Sequence, residues 1–245
     1  MKYMGSKSRI ISEIVPIIQS YVDASDSGVY YEPFCGGCNV IDHIKADKKY
    51  ASDNQKYLIA LLQNLNRIVE LPNSVSKEHY NAVRECFYLN NGLFEDWYIG
   101  AIGFLASYNG RFFDGGYAGV VHTKSGTIRD YYAEAKRNLE GQISKLEDIT
   151  FYRCDYRNNP LLEYGSGYVV YCDPPYKGVK QYGTSKNFNY EDFWCWVREI
   201  SKKHTVIVSE REAPSDFLVL WEQNVTRTID TNKRVVSKER LFIKG

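Results

Sequence analysis

No apolar run in the 245-residue chain approaches the length of a bilayer span, and the opening MKYMGSKSRI has no apolar leader core, so a cytoplasmic protein without a membrane partner is expected. Charge of one sign is also lacking. Lys and Arg number 31 against 30 Asp and Glu, which leaves a formal net charge of +1 and no overall basic excess to advertise a phosphate-binding surface. Local clusters exist instead, with Lys2, Lys7 and Arg9 at the start and Lys233, Arg234, Lys238 and Arg240 near the end. They read either as a basic groove or as solvated faces. Histidines number only 4, and Cys35-Gly-Gly-Cys38 has no second CxxC, so a zinc ligand set is not assembled and no metal is expected. The six cysteines, without a secretory start, read as reduced thiols. GxGxxG is absent, which disfavours a dinucleotide, and there is no internal repeat or low-complexity tract.

What is present is an ordinary globular composition, 44% hydrophobic and 25% charged, in a chain long enough for one α/β domain or for one such domain carrying a smaller insert. Val29 to Phe34 is strand-like and runs into Cys35-Gly36-Gly37, after which Asn39 to Lys45 has helical apolar spacing. A second strand ends at Asp53, and Gln55 to Asn66 reads as an amphipathic helix with Leu58, Ile59, Leu61, Leu62 and Leu65 inside. Strand–helix alternation then stops and glycines accumulate, suggesting an inserted, partly helical unit with a loop or hairpin over 107–127. It resumes with strands at 149–154 and 168–172, a helix at 191–202 and a strand at 205–209. The expectation is a doubly wound, mainly parallel α/β sheet, with Asp53, Asp155 and Asp173 on the rim formed by the strand carboxyl ends. Expected domains are 1–66 and 146–245 as two parts of one catalytic α/β domain, with 67–145 as a mostly helical insert.

Two constellations carry chemistry. Glu32-Pro33-Phe34-Cys35-Gly36-Gly37 is followed, about 17 residues past Gly36, by Asp53, the spacing of a nucleotide-type glycine turn and an acid that can take ribose hydroxyls; a plain turn fits the same residues. Asp173-Pro174-Pro175-Tyr176 ends a buried-looking strand, where two prolines stiffen the turn and leave the Pro174 carbonyl free to accept. An exocyclic adenine amine is a poor nucleophile because its lone pair is delocalised. Two acceptors on its N–H bonds, Asp173 and the Pro174 carbonyl, favour a pyramidal nitrogen, while Tyr176 can stack on a base taken out of the duplex. A Pro-rich strand exit with a buried tyrosine is the plainer alternative.

Lys2-Tyr3-Met4-Gly5-Ser6-Lys7, the Glu32 to Gly37 turn, Asp53, Asp155-Tyr156 and Asp173-Pro-Pro-Tyr176, in this order, resemble the Dam-type (D12 class) adenine-N6 DNA methyltransferases. The resemblance covers roughly residues 1–66 and 149–245. It implies a Rossmann-like methyltransferase sheet and S-adenosylmethionine held by Tyr3, Met4, Gly5, Lys7, Glu32, Phe34, Gly36, Gly37, Asp53, Asp155, Tyr156 and Asp173. It further implies that 67–145 recognises a short adenine-containing target in double-stranded DNA, with base flipping, and it makes a cognate restriction endonuclease a candidate partner. Ser107-Tyr108-Asn109-Gly110-Arg111 is similar to the family's DNA-contacting loop, which points to Tyr108, Asn109 and Arg111. A turn with a solvated arginine fits that segment too. Lys238 and Arg240, in what looks like the closing strand pair, are expected near DNA. The chain departs from the family at Cys38, where a glycine is usual, and at Phe112 to Gly116, which differ from the form that reads GATC, so GATC recognition is not implied. Ser209 borders the expected base pocket or simply caps a helix.

Three readings follow. The first is methylation of adenine N6 in duplex DNA. The second is methylation of adenine in structured RNA, or of a glutamine amide. The third is a catalytically silent nucleic-acid-binding relative. The insert favours DNA, the acid at 173 favours the adenine amine, and the intact Asp173 to Tyr176 turn argues against a silent protein.

Overall fold

The structure is a computed structural model and describes residues 1–122, 126–178, 188–230 and 233–245. The chain begins with α1 (Ile11–Asp23), β1 (Val29–Glu32), β2 (Lys48–Asp53) and α2 (Lys56–Leu62). Next come α3 (Lys77–Leu89), α4 (Asp96–Leu105), a hairpin of β3 (Val120–His122) and β4 (Ile128–Asp130), and α5 (Tyr131–Glu140). It ends with β5 (Ile149–Arg153), α6 (Pro160–Tyr164), β6 (Val169–Cys172), α7 (Tyr190–Ile200), β7 (Thr205–Glu210), β8 (Phe217–Asp230) and β9 (Lys233–Lys244).

The large sheet has the order β5-β2-β1-β6-β7-β9-β8. Its first five strands are parallel, and β9 joins β7 and β8 antiparallel. Strand alternation gives the sheet two apolar faces. Tyr30, Val169, Tyr171, Ile207 and Leu241 enter one core with α1 and α2, while Tyr31, Val170, Cys172, Val206, Val208 and Phe242 enter the other with Phe193, Trp194 and Val197 of α7. Helices therefore cover both faces, and the expected doubly wound α/β architecture holds. Chain order runs outward from β1 through β2 to β5 on one side and from β6 through β7 on the other, so the crevice between the carboxyl ends of β1 and β6 is the topological switch point.

The strands expected around 29, 149, 168 and 205 all form. Residues 39–45 do not form the expected helix. They make one 3-10 turn, Ile41–His43, and Ile44 is already extended with ψ 137°. Seven residues rich in β-branched side chains are too few to nucleate a helix and still return the chain to β2 at Lys48. The helix expected over 55–66 stops at Leu62, with Gln55 capping its start through the Tyr57 and Leu58 amides, and a 3-10 segment, Leu65–Glu70, follows. Its inner residues Leu58, Ile59, Leu61, Leu62 and Leu65 are all buried. Asp155 lies two residues past the end of β5 rather than on its last position.

Helices α3, α4 and α5 pack into the same apolar cluster as α1 and α2. The α2–α4 contact depends on Gly100, where a Cβ would stand 2.1 Å from the Tyr57 carbonyl oxygen. No helix among the described residues is long and apolar enough to cross a membrane.

His204, just before β7, is buried between two main-chain groups: it accepts from the Tyr168 amide at 3.3 Å and donates to the Leu162 carbonyl at 3.0 Å. Burial lowers its pKa below the ordinary 6.5. The folded state thus prefers the neutral ring, and the stability His204 contributes is present above the unfolded value and lost as pH falls through about 6.5 toward the folded one. The melting-temperature difference between the wild type and His204→Asn should shrink as pH drops from about 7.5 to 5.5; a constant difference would contradict this.

Candidate functional site

Two turns meet at the switch point. After β1, the chain passes Glu32, whose carboxylate accepts from the Tyr30 hydroxyl at 2.7 Å and is pushed up by burial. The glycine turn is tied to β2 by the Cys35 amide donating to the Ser52 carbonyl at 2.9 Å. Gly36 (φ +45°) and Cys38 (φ +56°) both take left-handed backbone, so Cys38 adopts a conformation that glycine takes more easily. Cys35 and Cys38 are buried free thiols.

Asp53 closes the turn from the next strand. One oxygen accepts from the Gly36 amide at 3.2 Å and the other from the Gln55 amide at 3.0 Å. Burial pushes its carboxyl up, against the opposing pull of the Gln55, Gly36 and Asn54 amides. Tyr3 lies across the turn, so that a Cβ on Gly36 would come within 2.8 Å of its ring. Met4 and Gly5 continue this strap at an exposed position. Phe34 and Tyr156 pack together at 5.1 Å in an aromatic cluster with Phe193 and Trp196. Asp155 caps its own turn and is gripped by Arg157 at 2.9 and 2.8 Å, which lowers its pKa.

The second turn leaves β6 as Asp173-Pro174-Pro175-Tyr176. Tyr176 is buried, its hydroxyl donating to Glu239 at 2.7 Å and standing 2.8 Å from the Ser209 hydroxyl. Glu210, at the end of β7, accepts from the Lys177 amide at 3.1 Å and the Arg211 amide at 2.7 Å, holding the exit of the turn against its neighbouring strand. Desolvation pushes the Glu210 carboxyl up to about 7. Lys7 donates to Asp173 at 2.6 Å, and its ammonium lies 4.6 Å from the centre of the Tyr176 ring.

A cleft of about 840 Å³ opens beside this turn between the N-terminal segment and the loop, hairpin and helix that follow α4. Asn109 and Arg111 line it, and Tyr108, 48% exposed, meets Tyr131 edge-on at 6.1 Å. Tyr131 itself has two cations against its ring, Lys2 at 5.3 Å and Arg129 at 4.9 Å. Lys238 and Arg240 are not brought to this cleft. Both pair with Glu222 on β8 at 3.0 Å, and the residue between them, Glu239, faces the site instead. The side chains of Lys233 and Arg234 lie outside the described residues. Sequence reasoning passed over Glu239 and Glu210; the alternation of β9 around Lys238 and Arg240 was the available signal for the first, and for the second only its position after Ser209.

Among solved structures, similar folds include a precorrin 8w decarboxylase from Methanobacterium thermoautotrophicum (10% identical, TM-score 0.42, covering 95% of this chain and 89% of that one). A precorrin-6y C5,15-methyltransferase from Geobacter metallireducens is another (9% identical, TM-score 0.40, covering 98% and 92%). No curated protein matches the chain. The family model described as D12 class N6 adenine-specific DNA methyltransferase matches residues 3–218, a span that runs from the Tyr3 strap through both turns of the switch-point crevice and the whole segment between them. By that match, the chain belongs to the D12 class N6 adenine-specific DNA methyltransferase family.

Proposed function

We propose that this methyltransferase transfers the methyl group of S-adenosylmethionine to N6 of an adenine extruded from a short target in duplex DNA. The observation that carries the reading is the meeting of the Asp53-tied glycine turn and the Asp173 to Tyr176 turn at one crevice, with an open cleft beside it. The first turn suits the cofactor. Gly36 has no room for a Cβ beneath Tyr3, and Asp53 offers acceptors of the kind a ribose diol needs. Tyr3, Met4, Gly5, Glu32, Phe34, Gly36, Gly37, Asp53, Asp155 and Tyr156 are assigned to that side, with buried Glu32 and Tyr156 and half-buried Phe34 as the support of the turn. S-adenosylmethionine supplies an already activated methyl on its sulfonium.

On the other side, Tyr176 is the platform for the base, its hydroxyl anchored by Glu239 and Ser209 so that the ring cannot swing away. Asp173 and the Pro174 carbonyl accept from the two amine N–H bonds and aim the nitrogen lone pair at the methyl, and Pro175 stiffens the turn that presents them. Residues 67–145 are assigned to target recognition, with Tyr108 as a wedge and Asn109 and Arg111 as readers of base edges or phosphate. Lys238 and Arg240 are engaged by Glu222 and enter this reading only as support of the strand that carries Glu239.

Transfer of labelled methyl from S-adenosylmethionine into duplex DNA tests the proposal. Incorporation at adenine N6 is expected; label in structured RNA but not in duplex DNA would contradict it. Asp53→Ala should weaken S-adenosylmethionine binding by about tenfold or more, the loss of one charge-assisted hydrogen-bond acceptor, while DNA affinity changes by less than about threefold. Equal cofactor affinity in a titration would remove Asp53 from the site.

A further inference from the structure

Lys7 lies near Gly5 in the strap, and its place in sequence suggested a cofactor ligand. Its ammonium stands 3.4 Å from the Gly5 carbonyl oxygen and reaches on to Asp173. Lys7 is 6% exposed, its ammonium is 2.6 Å from one oxygen of Asp173, and it stands 4.6 Å from the Tyr176 ring centre. That distance falls in the range at which a second aromatic ring stacks. A base stacked on Tyr176, with its amine directed at Asp173, needs the volume that the ammonium fills. The two cannot be there together. Lys7 also lines the open cleft, so its flexible four-carbon stem can carry the charge out of the seat without any movement of the strap.

We propose that Lys7 is the gate of the target-base seat. Without DNA it fills the space between Asp173 and Tyr176 and supplies the counter-charge of the half-buried carboxylate. When an adenine enters, its amine takes over the bonds to Asp173, and the displaced ammonium moves into the cleft and onto a phosphate of the extruded nucleotide. A base that cannot bond to Asp173 cannot compensate the lost ion pair, so the exchange adds discrimination at the step of base entry. This rests on the function proposed above.

The test uses Lys7→Met and Lys7→Arg, with 2-aminopurine as the neighbour of the target adenine in duplex DNA, so that adenine itself enters the seat and its extrusion unstacks the probe; the target is first located with the wild type. In Lys7→Met, base extrusion, read as the rise of 2-aminopurine fluorescence, should be at least as fast as in the wild type. The slope of log K against log salt for DNA binding should fall by about 0.9, the loss of one phosphate contact. S-adenosylmethionine affinity should stay within about threefold. Lys7→Arg, which keeps the charge but is bulkier, should retain the wild-type slope and slow the fluorescence rise. Cofactor affinity weakened more than about tenfold in Lys7→Met, with an unchanged salt slope, would overturn the proposal and return Lys7 to the cofactor. Failure of the proposed function itself is separate, because the wild type would then methylate no DNA.

Discussion

Asp173→Ala is expected to lower the rate of methyl transfer by about 10³-fold at saturating substrates while leaving S-adenosylmethionine affinity within a few-fold. The magnitude follows from removing one preorganised group that acts on the charge developing in the transition state, which typically costs about 10²–10³ in rate, or roughly 3–4 kcal/mol. Two features place this variant at the upper end. Among the described residues, the other carboxylates bordering the proposed seat are already engaged, Glu239 by the Tyr176 hydroxyl and Glu210 by two amides. Removing the carboxylate also removes the group to which the adenine amine bonds when it displaces Lys7 from its 2.6 Å contact, so fewer bound complexes hold the base in the seat. Single-turnover transfer measured with a fixed target duplex checks this, and a loss below about tenfold would show that Asp173 is not the principal acceptor.

Gly110→Ala should abolish efficient target recognition through a purely steric route. Gly110 has φ +64°, and a Cβ there would stand 2.4 Å from the Lys2 carbonyl oxygen, a main-chain atom that cannot rotate aside. Left-handed strain and the clash act together, each on the order of 1–3 kcal/mol, so the loop that carries Tyr108 to Arg111 must lift from the N-terminal segment. We expect a fall of about 10²-fold in kcat/KM for the target duplex, roughly 2.7 kcal/mol, dominated by a higher KM. The melting temperature should drop by several degrees but leave the fold intact, because the buried Gly110 contact lies outside the sheet and is relieved as the loop lifts. Wild-type kcat/KM in this variant would mean that the loop does not need to dock on Lys2.

The sequence was most informative where local chemistry and position agree. Asp173 to Tyr176 follows a fully buried strand, and Gly36 and Asp53 stand at the spacing of a nucleotide turn and its closing acid, so both halves of the crevice were legible without coordinates. The inner side of α2 was legible because four aliphatic residues, Leu58, Ile59, Leu61 and Leu62, repeat on one face. The stretch after the glycine turn was misread because a short apolar run fits helix and irregular core equally well, and the nearness of β2 decides between them. The pairing of Lys7 with Asp173 was not legible for a different reason. The two are 166 residues apart, and side-chain direction across such a separation is a tertiary property that no local pattern encodes. Glu239 was hidden between two basic residues that drew attention to charge, although strand alternation sends the middle residue of three to the opposite face.

The most direct test of the central claim is single-molecule sequencing of DNA from a methylation-free bacterial host expressing this chain, beside the same host expressing Asp173→Ala. N6-methyladenine at one short sequence with the wild type, and none with the variant, is the expected result. Unmodified adenines in the wild-type host, with the protein folded and binding S-adenosylmethionine, would contradict the account and move the substrate away from DNA.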